Sequence, residues 1–293
     1  HPNNKISSVQ RKLMTTIEDD NVFNLAINGN FDDCQNLVKS MFSDTGFANT
    51  INMSGVNSIN WARIVAQTVY YFYSYFQIGK QNLSFSVPTG NFGDVYAGYI
   101  SKQMGLPISK FIVATNQNDI LHRAISNGDY KSNKVKETIS PSMDIQVASN
   151  FERLLYDLYD KNSQNVINIM KSIKDNSFKI EQDKLKDLRN DFDSESLNET
   201  EVINTIKKFY EEYNIVIDPH TAIGVGAVEK LNLSDVVILS TAHPCKFPVA
   251  IEKAISKIEK LPESLNYIND KEEKFEVVPN DLEKVKDYVL RSI

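Results

Sequence analysis

Cysteine, histidine and tryptophan are scarce: 293 residues hold two Cys, four His and one Trp. Cys34 and Cys245 lie far apart without CxxC or Cys/His spacing. That excludes a disulfide framework and a structural zinc site, and it points to a reducing compartment, the cytoplasm. His1, His122, His220 and His243 are too scattered for a metal centre. No apolar run approaches the ~18 residues of a membrane span. Basic residues are not in excess either. A net charge of −6 and a pI near 5.4 argue against a nucleic-acid or anionic-membrane surface, which needs a clustered basic face. A small anion in a pocket stays allowed. The chain shows no signal peptide or lipidation motif, and it opens HPNNK without an initiator Met. The expectation is a fragment, incomplete at its N-terminus.

The hydrophobic content of 41% is enough for one large domain or two smaller ones. Two are expected: residues 1–55 as the remainder of a small α/β subdomain, and 56–293 as a large α/β domain ending in a capping helix. In the first, Val22 to Ile27 reads as a strand. A helix carrying Cys34, Leu37, Val38 and Met41 on one face follows it, and Phe42 to Gly55 reads as loop. Asn57 to Ile78 predicts a long buried helix with Trp61, Ile64, Val65, Val69, Phe72 and Phe76 inward.

Leu83 to Gly98, LSFSVPTGNFGDVYAG, is the stretch the rest is organised around. Leu83, Phe85 and Val87 alternate with serines as a strand, a glycine turn follows, and a helix starts near Asp94. Such a turn aims backbone N–H groups and a helix N-terminus at one spot, which suits a phosphate. It is neither GxGxxG nor a P-loop. The residues alone leave two readings, an anion cradle or a tight βα turn whose glycines only supply backbone freedom. A second strand, Lys110 to Thr115, and a helix from Ile120 to Asn127, N-capped by Asp119 and closed by Gly128, complete a strand–helix–strand–helix order. Right-handed crossovers then give a parallel sheet with ligand-binding loops at its carboxyl edge.

Further on, Phe151 to Ile169 reads as one helix and Lys171 to Thr200 as a solvated surface excursion. Val202 to Tyr210 is amphipathic, and Ile215 to Ile217 reads as a strand. Asp218-Pro219 is an N-cap followed by N1. His220 projects from that first turn, either as a ligand-site residue or as a polar cap. Asp235 to Leu239 is a strand running into Ser240-Thr241-Ala242-His243-Pro244. Without a GxSxG elbow or a third partner, a Ser/His hydrolase has no support.

Six ordered stretches are together far more specific: GVNSINWARI (Gly55 to Ile64), VPTGNFGDVYAGYISKQMGLPI (Val87 to Ile108), ATNQNDIL (Ala114 to Leu121), SPSMDIQVASNFERLL (Ser140 to Leu155), DPHTAIGV (Asp218 to Val225) and STAHPCKF (Ser240 to Phe247). With them the sequence resembles the threonine synthases of the long fungal and bacterial type over nearly its whole length. The resemblance implies a tryptophan-synthase-β-like (fold type II) pyridoxal-phosphate enzyme. It would convert O-phospho-L-homoserine and water into L-threonine and phosphate, as a monomer or homodimer. The alternatives are a phospho-lyase acting on another phosphorylated amino alcohol and a non-catalytic fragment. The resemblance also implies that Gly90, Asn91, Phe92, Gly93 and Asp94 hold the cofactor phosphate and that Thr241 partners the pyridine nitrogen. A hydroxyl there can donate to an unprotonated nitrogen, where a carboxylate would force it protonated. Asn57, Ser58, Asn60, Arg63 and His220 are candidate substrate contacts, Arg63 with the fork to grip a phosphate. The family's Schiff-base lysine is expected upstream of these residues, which would leave this chain alone inactive. Lys246, beside STAHP, reads as structural.

Overall fold

A computed structural model describes residues 1–175 and 178–293, with the side chains of all but residues 31 and 32 among them. The chain divides into two units, residues 1–55 with 260–293, and residues 56–259.

In the first unit, α1 (Ser8–Thr15) precedes β1 (Leu25–Asn28), α2 (Phe31–Ser43) and α3 (Thr45–Thr50). The last replaces the loop expected over 42–55, because Asp44 caps it by accepting from the Phe47 amide. Residues 260–293, expected at the end of the large domain, belong to this unit instead. Their strand, numbered β6 (Glu276–Pro279), pairs in parallel with β1, Leu25 opposite Glu276 and Ile27 opposite Val278. Their helix, numbered α13 (Leu282–Ser292), starts at the Asp281 cap. Ile27, Leu37, Met41, Phe47, Val278 and Val285 form the core. EVVP is too short and too exposed on one face to stand out as a strand in the sequence.

The second unit runs α4 (Trp61–Ile78), β2 (Leu83–Pro88), α5 (Gly93–Gln103), β3 (Ile108–Thr115), α6 (Ile120–Asn127), α7 (Phe151–Leu158), α8 (Ser163–Lys174), α9 (Gln182–Asp191), β4 (Phe192–Ser196), α10 (Glu199–Tyr213), α11 (Pro219–Lys230), β5 (Val236–Ile238) and α12 (Pro248–Ile255). Its sheet has the order β4-β3-β2-β5, every pair parallel. Alternate residues feed opposite cores. Phe85, Val87, Phe111 and Val113 pack with α4 to α9, whereas Ile112 and Ala114 pack with α10 to α12. A parallel sheet covered on both faces reads as apolar runs, which is why β2 and β3 are visible in the sequence. Ser86, on the second face of β2, is fully buried and donates to the Gly224 carbonyl at 2.8 Å.

Several expectations fail for physical reasons. The helix α4 buries Ile64, Thr68 and Tyr71, while Trp61, Val65, Val69 and Phe76 are exposed, Phe76 by 72%. The helix is apolar nearly all round, so periodicity does not fix its inward face. Close approach does: a Cβ on Gly98 of α5 would lie 2.5 Å from the Tyr71 ring. The surface excursion over 171–200, of which residues 176–177 lie outside the described ones, contains α9 and the edge strand β4. Phe192 and Ser194 bury one face of that strand in a run too polar to read as one. The helix expected over 151–169 is two, broken where Asp160 and Lys161 take positive φ and Asn162 caps α8. Among the described residues, Ile215 to Ile217 has no strand partner and no strand assignment. Asp119 makes no cap bond; it pairs with Arg123 at 2.9 Å.

Candidate functional site

The loop between β2 and α5 sits at the carboxyl edge of the sheet. Thr89 extends the ladder by donating to the Ala114 carbonyl at 2.8 Å. The chain then leaves the sheet through Gly90, where a Cβ would lie 2.5 Å from the Ser142 carbonyl oxygen. Only glycine fits there. Phe92 takes φ 64°, ψ 11° and is the residue before α5, which has no side-chain cap. A left-handed non-glycine residue costs about 1–2 kcal/mol. The ring holds it: Phe92 is 1% exposed and meets Phe151 edge-on at 5.2 Å. Among the described residues, none of the amide N–H groups from Gly90 through Val95 has a protein acceptor. Successive N–H groups turned by a left-handed residue into a helix start make an anion-binding concavity.

The carbonyl side of this loop is fastened. The Asn91 carbonyl accepts from the Asn150 amide at 3.0 Å and from Asn150 Nδ2 at 3.1 Å, and Asn91 Oδ1 accepts from Ser149 Oγ at 3.1 Å. Asp94, in the first turn of α5, is half-buried, and desolvation pushes its carboxyl up to about 6 against the hydrogen bond donated by Tyr71. A cavity of ≈ 150 Å³ opens over the loop, with Ser58, Arg63 and Gln67 as its far wall.

The turn after β5 lies beside the β2 loop, because β5 and β2 are sheet neighbours. Asp218, wholly buried, organises it. Its Oδ1 accepts from the His220 amide and from His220 Nδ1, both at 2.9 Å. Its Oδ2 accepts from the Thr221 amide at 3.4 Å and from the Thr221 hydroxyl. These four donors fill a carboxylate's lone-pair positions. Burial alone would push the Asp218 carboxyl up, but the donors from His220 and Thr221 outweigh it and hold it below the ordinary value. Thr221 Oγ1, its proton given to Asp218, accepts from the Thr241 amide at 3.1 Å. The Thr241 hydroxyl is 3.4 Å from Thr221 Oγ1 and from both Asp218 oxygens, the outer limit of a bond. Its proton is therefore the one in this cluster without a strong acceptor.

His220 spends both nitrogens on protein. Nδ1 lies 2.9 Å from Asp218 Oδ1, and Nε2 is placed to accept from the Ser142 amide at 3.3 Å. Of the remaining candidates, Ser58 and Arg63 line the cavity with Gly90, Asn91, Phe92, Gly93 and Asp94, whereas Asn57, Asn60, His220 and Thr241 do not. Asn60 caps α4 by accepting from the Ala62 amide at 2.9 Å, and Asn57 Oδ1 accepts from the Ile59 amide at 3.1 Å. Sequence reasoning missed Gln67, Ser142 and Asn150, and it placed Thr221 in the first turn beside His220 without a role. Ser142, Asn150 and Thr221 fell inside the stretches SPSMDIQVASNFERLL and DPHTAIGV, so their presence in a motif was the available signal.

A family model described as "Threonine synthase, C-terminal" matches residues 221–289. The threonine synthase of Pseudomonas aeruginosa is 47% identical over 296 residues, 99% of this chain and 63% of its own length. That of Saccharomyces cerevisiae is 43% identical over 322 residues, with 99% and 63% covered. The crystal structure of PLP-bound threonine synthase from Brucella melitensis superposes with a TM-score of 0.95 at 44% identity, covering 99% of this chain and 64% of that one. The chain thus spans about 63% of the length of the curated relatives it matches.

Proposed function

We propose that this chain, which belongs to the threonine synthase family, forms the phosphate-holding and ring-holding walls of a pyridoxal-phosphate site. The enzyme so built would convert O-phospho-L-homoserine and water into L-threonine and phosphate in the cytoplasm. The observation that carries this reading is the loop: a run of N–H groups without protein acceptors, facing a cavity, at a glycine whose Cβ would strike Ser142. A phosphate dianion fits that donor set without a lysine. The Thr241 hydroxyl fits the other end, since its uncommitted proton suits a neutral aromatic nitrogen.

When bound, pyridoxal phosphate supplies an electron sink for negative charge developing on the amino-acid carbons. The residues of this chain do the rest of what can be derived from it. The amides of Gly90 to Gly93 neutralise and orient the phosphate. Desolvation raises the Asp94 carboxyl to about 6. Thr241, fixed at its amide by Thr221, would offer its hydroxyl proton to the ring nitrogen. Ser58 and Arg63 offer donors to the substrate's phosphate across the cavity. The lysine that carries the cofactor is proposed to come from outside these 293 residues, so that residues 1–293 alone turn over no substrate. Lys246 keeps a structural part in the turn before α12.

The test is titration of pyridoxal phosphate into the full-length protein, followed by visible absorbance and by phosphate release from O-phospho-L-homoserine. Saturable binding with stoichiometric threonine and phosphate is expected. Binding without turnover of this substrate, but with turnover of another phosphorylated amino alcohol, would move the substrate assignment; no binding at all would end the proposal.

A further inference from the structure

We infer that Asn150 is a positioning residue that aims the phosphate loop and ties it to the wall bearing Ser58 and Arg63, so that occupancy of the loop and grip on the substrate are coupled through one side chain. The inference rests on the reading of the loop as the phosphate site.

Asn150 is fully buried and has every polar atom engaged. Its main-chain N–H and one Nδ2 hydrogen hold the Asn91 carbonyl. The other Nδ2 hydrogen goes to the Ser58 carbonyl at 2.9 Å. Its Oδ1 accepts from Arg153 Nε at 3.2 Å, and Arg153 Nη2 continues to the Ile59 carbonyl at 2.9 Å. In a trans peptide the C=O and the following N–H point opposite ways. Two donors behind the Asn91 oxygen therefore turn the Phe92 N–H away from them, as the left-handed Phe92 requires. Release of that oxygen lets the peptide rotate and present a carbonyl where an anion is to sit. Phe151, the next residue, packs on the Phe92 ring, so this short segment fixes the loop's dihedrals twice.

The bond to Ser58 reaches the opposite wall. The segment 57–60 leads into α4, whose first turns carry Arg63 and Gln67 into the cavity wall. One amide group that bonds both Asn91 and Ser58 fixes the distance between the anion cradle and that wall. A core asparagine serving stability alone would satisfy its own polar atoms anywhere. Here both carbonyls that it holds belong to segments lining the same cavity.

The experiment uses the full-length protein with N150A and R153A. Thermal unfolding first sets a temperature at which each is folded; inorganic phosphate and pyridoxal-phosphate dissociation constants are then measured, with the ³¹P shift of the bound cofactor and KM against kcat for the substrate. For N150A, both dissociation constants rise about tenfold, as loss of a hydrogen bond to a buried carbonyl implies. The ³¹P shift moves, and KM rises with kcat reduced less. R153A, which only loosens the asparagine, gives a smaller change of the same kind. A folded N150A with both affinities within twofold of wild type overturns the inference, and so does an unfolded N150A accompanied by an R153A with unchanged affinities and KM. Failure of the wild-type protein to bind either probe overturns the site reading and this inference with it.

Discussion

The two ends of the proposed site are built from different material. At the β2 loop the recognition groups are main-chain amides, supported from behind by the Asn150 side chain on a carbonyl, the Phe151 ring on the Phe92 ring and the Ser142 backbone carbonyl against Gly90. At the β5 turn the recognition group is a single hydroxyl, and a side-chain carboxylate dictates which protons are free. The first end is specified by shape and the second by proton count. The ends also meet, since Ser142 shields Gly90 with its carbonyl while its amide is held by His220, a partner of Asp218. The two ends are therefore joined through Ser142 and His220.

The comparison breaks most visibly at Gly90. Gly90→Ala puts a methyl group 2.5 Å from a backbone oxygen, and overpacking of this kind costs about 1–3 kcal/mol and displaces the loop. Cofactor affinity is expected to fall about a hundredfold, measured by fluorescence titration. Near-wild-type affinity would remove shape as the governing factor.

At the other end, Asp218→Asn keeps shape and alters proton count. It leaves the His220 and Thr221 donors facing an amide, and loss of such charge-assisted bonds costs about 2 kcal/mol in chemical denaturation. The pH dependence gives the sign. The folded carboxyl lies below its unfolded value, so its contribution is present above the unfolded pKa and is lost as pH falls through the folded one. The difference between wild type and D218N is therefore expected to shrink in acid.

Asp94 sharpens the contrast with a smaller and opposite effect. Its folded pKa is raised to about 6, so the folded state holds its proton more tightly than the unfolded one. The Asp94 contribution to stability is most favourable below about pH 4 and declines as pH rises to about 6. Asp94→Asn escapes that decline, and it is expected to gain about 1–2 kcal/mol on wild type between those limits. A constant difference across that range would show that burial does not control this carboxyl.

Legibility in the sequence followed the same division. The strand–turn–helix at Leu83 to Gly98 and the cap at Asp218 were visible because glycine, proline and apolar alternation mark them locally. The inward face of α4, the strand β4 and the pairing of β6 with β1 were not, because tertiary approach decides each of them. Gly98 against Tyr71 turns α4, and the edge strand FDSES buries only one face. The candidate site was legible in part: the loop and Thr241 stand out as motif residues, but the roles of Asn150, Ser142 and Thr221 arise from hydrogen bonds between segments 20 to 78 positions apart.

The most direct test of the account is a crystal structure of the full-length protein with pyridoxal phosphate. The account predicts the phosphate oxygens within about 3 Å of the Gly90 to Gly93 amides, with Thr241 Oγ1 at hydrogen-bond distance from the pyridine nitrogen. A cofactor phosphate held elsewhere, with those amides still free, would contradict it.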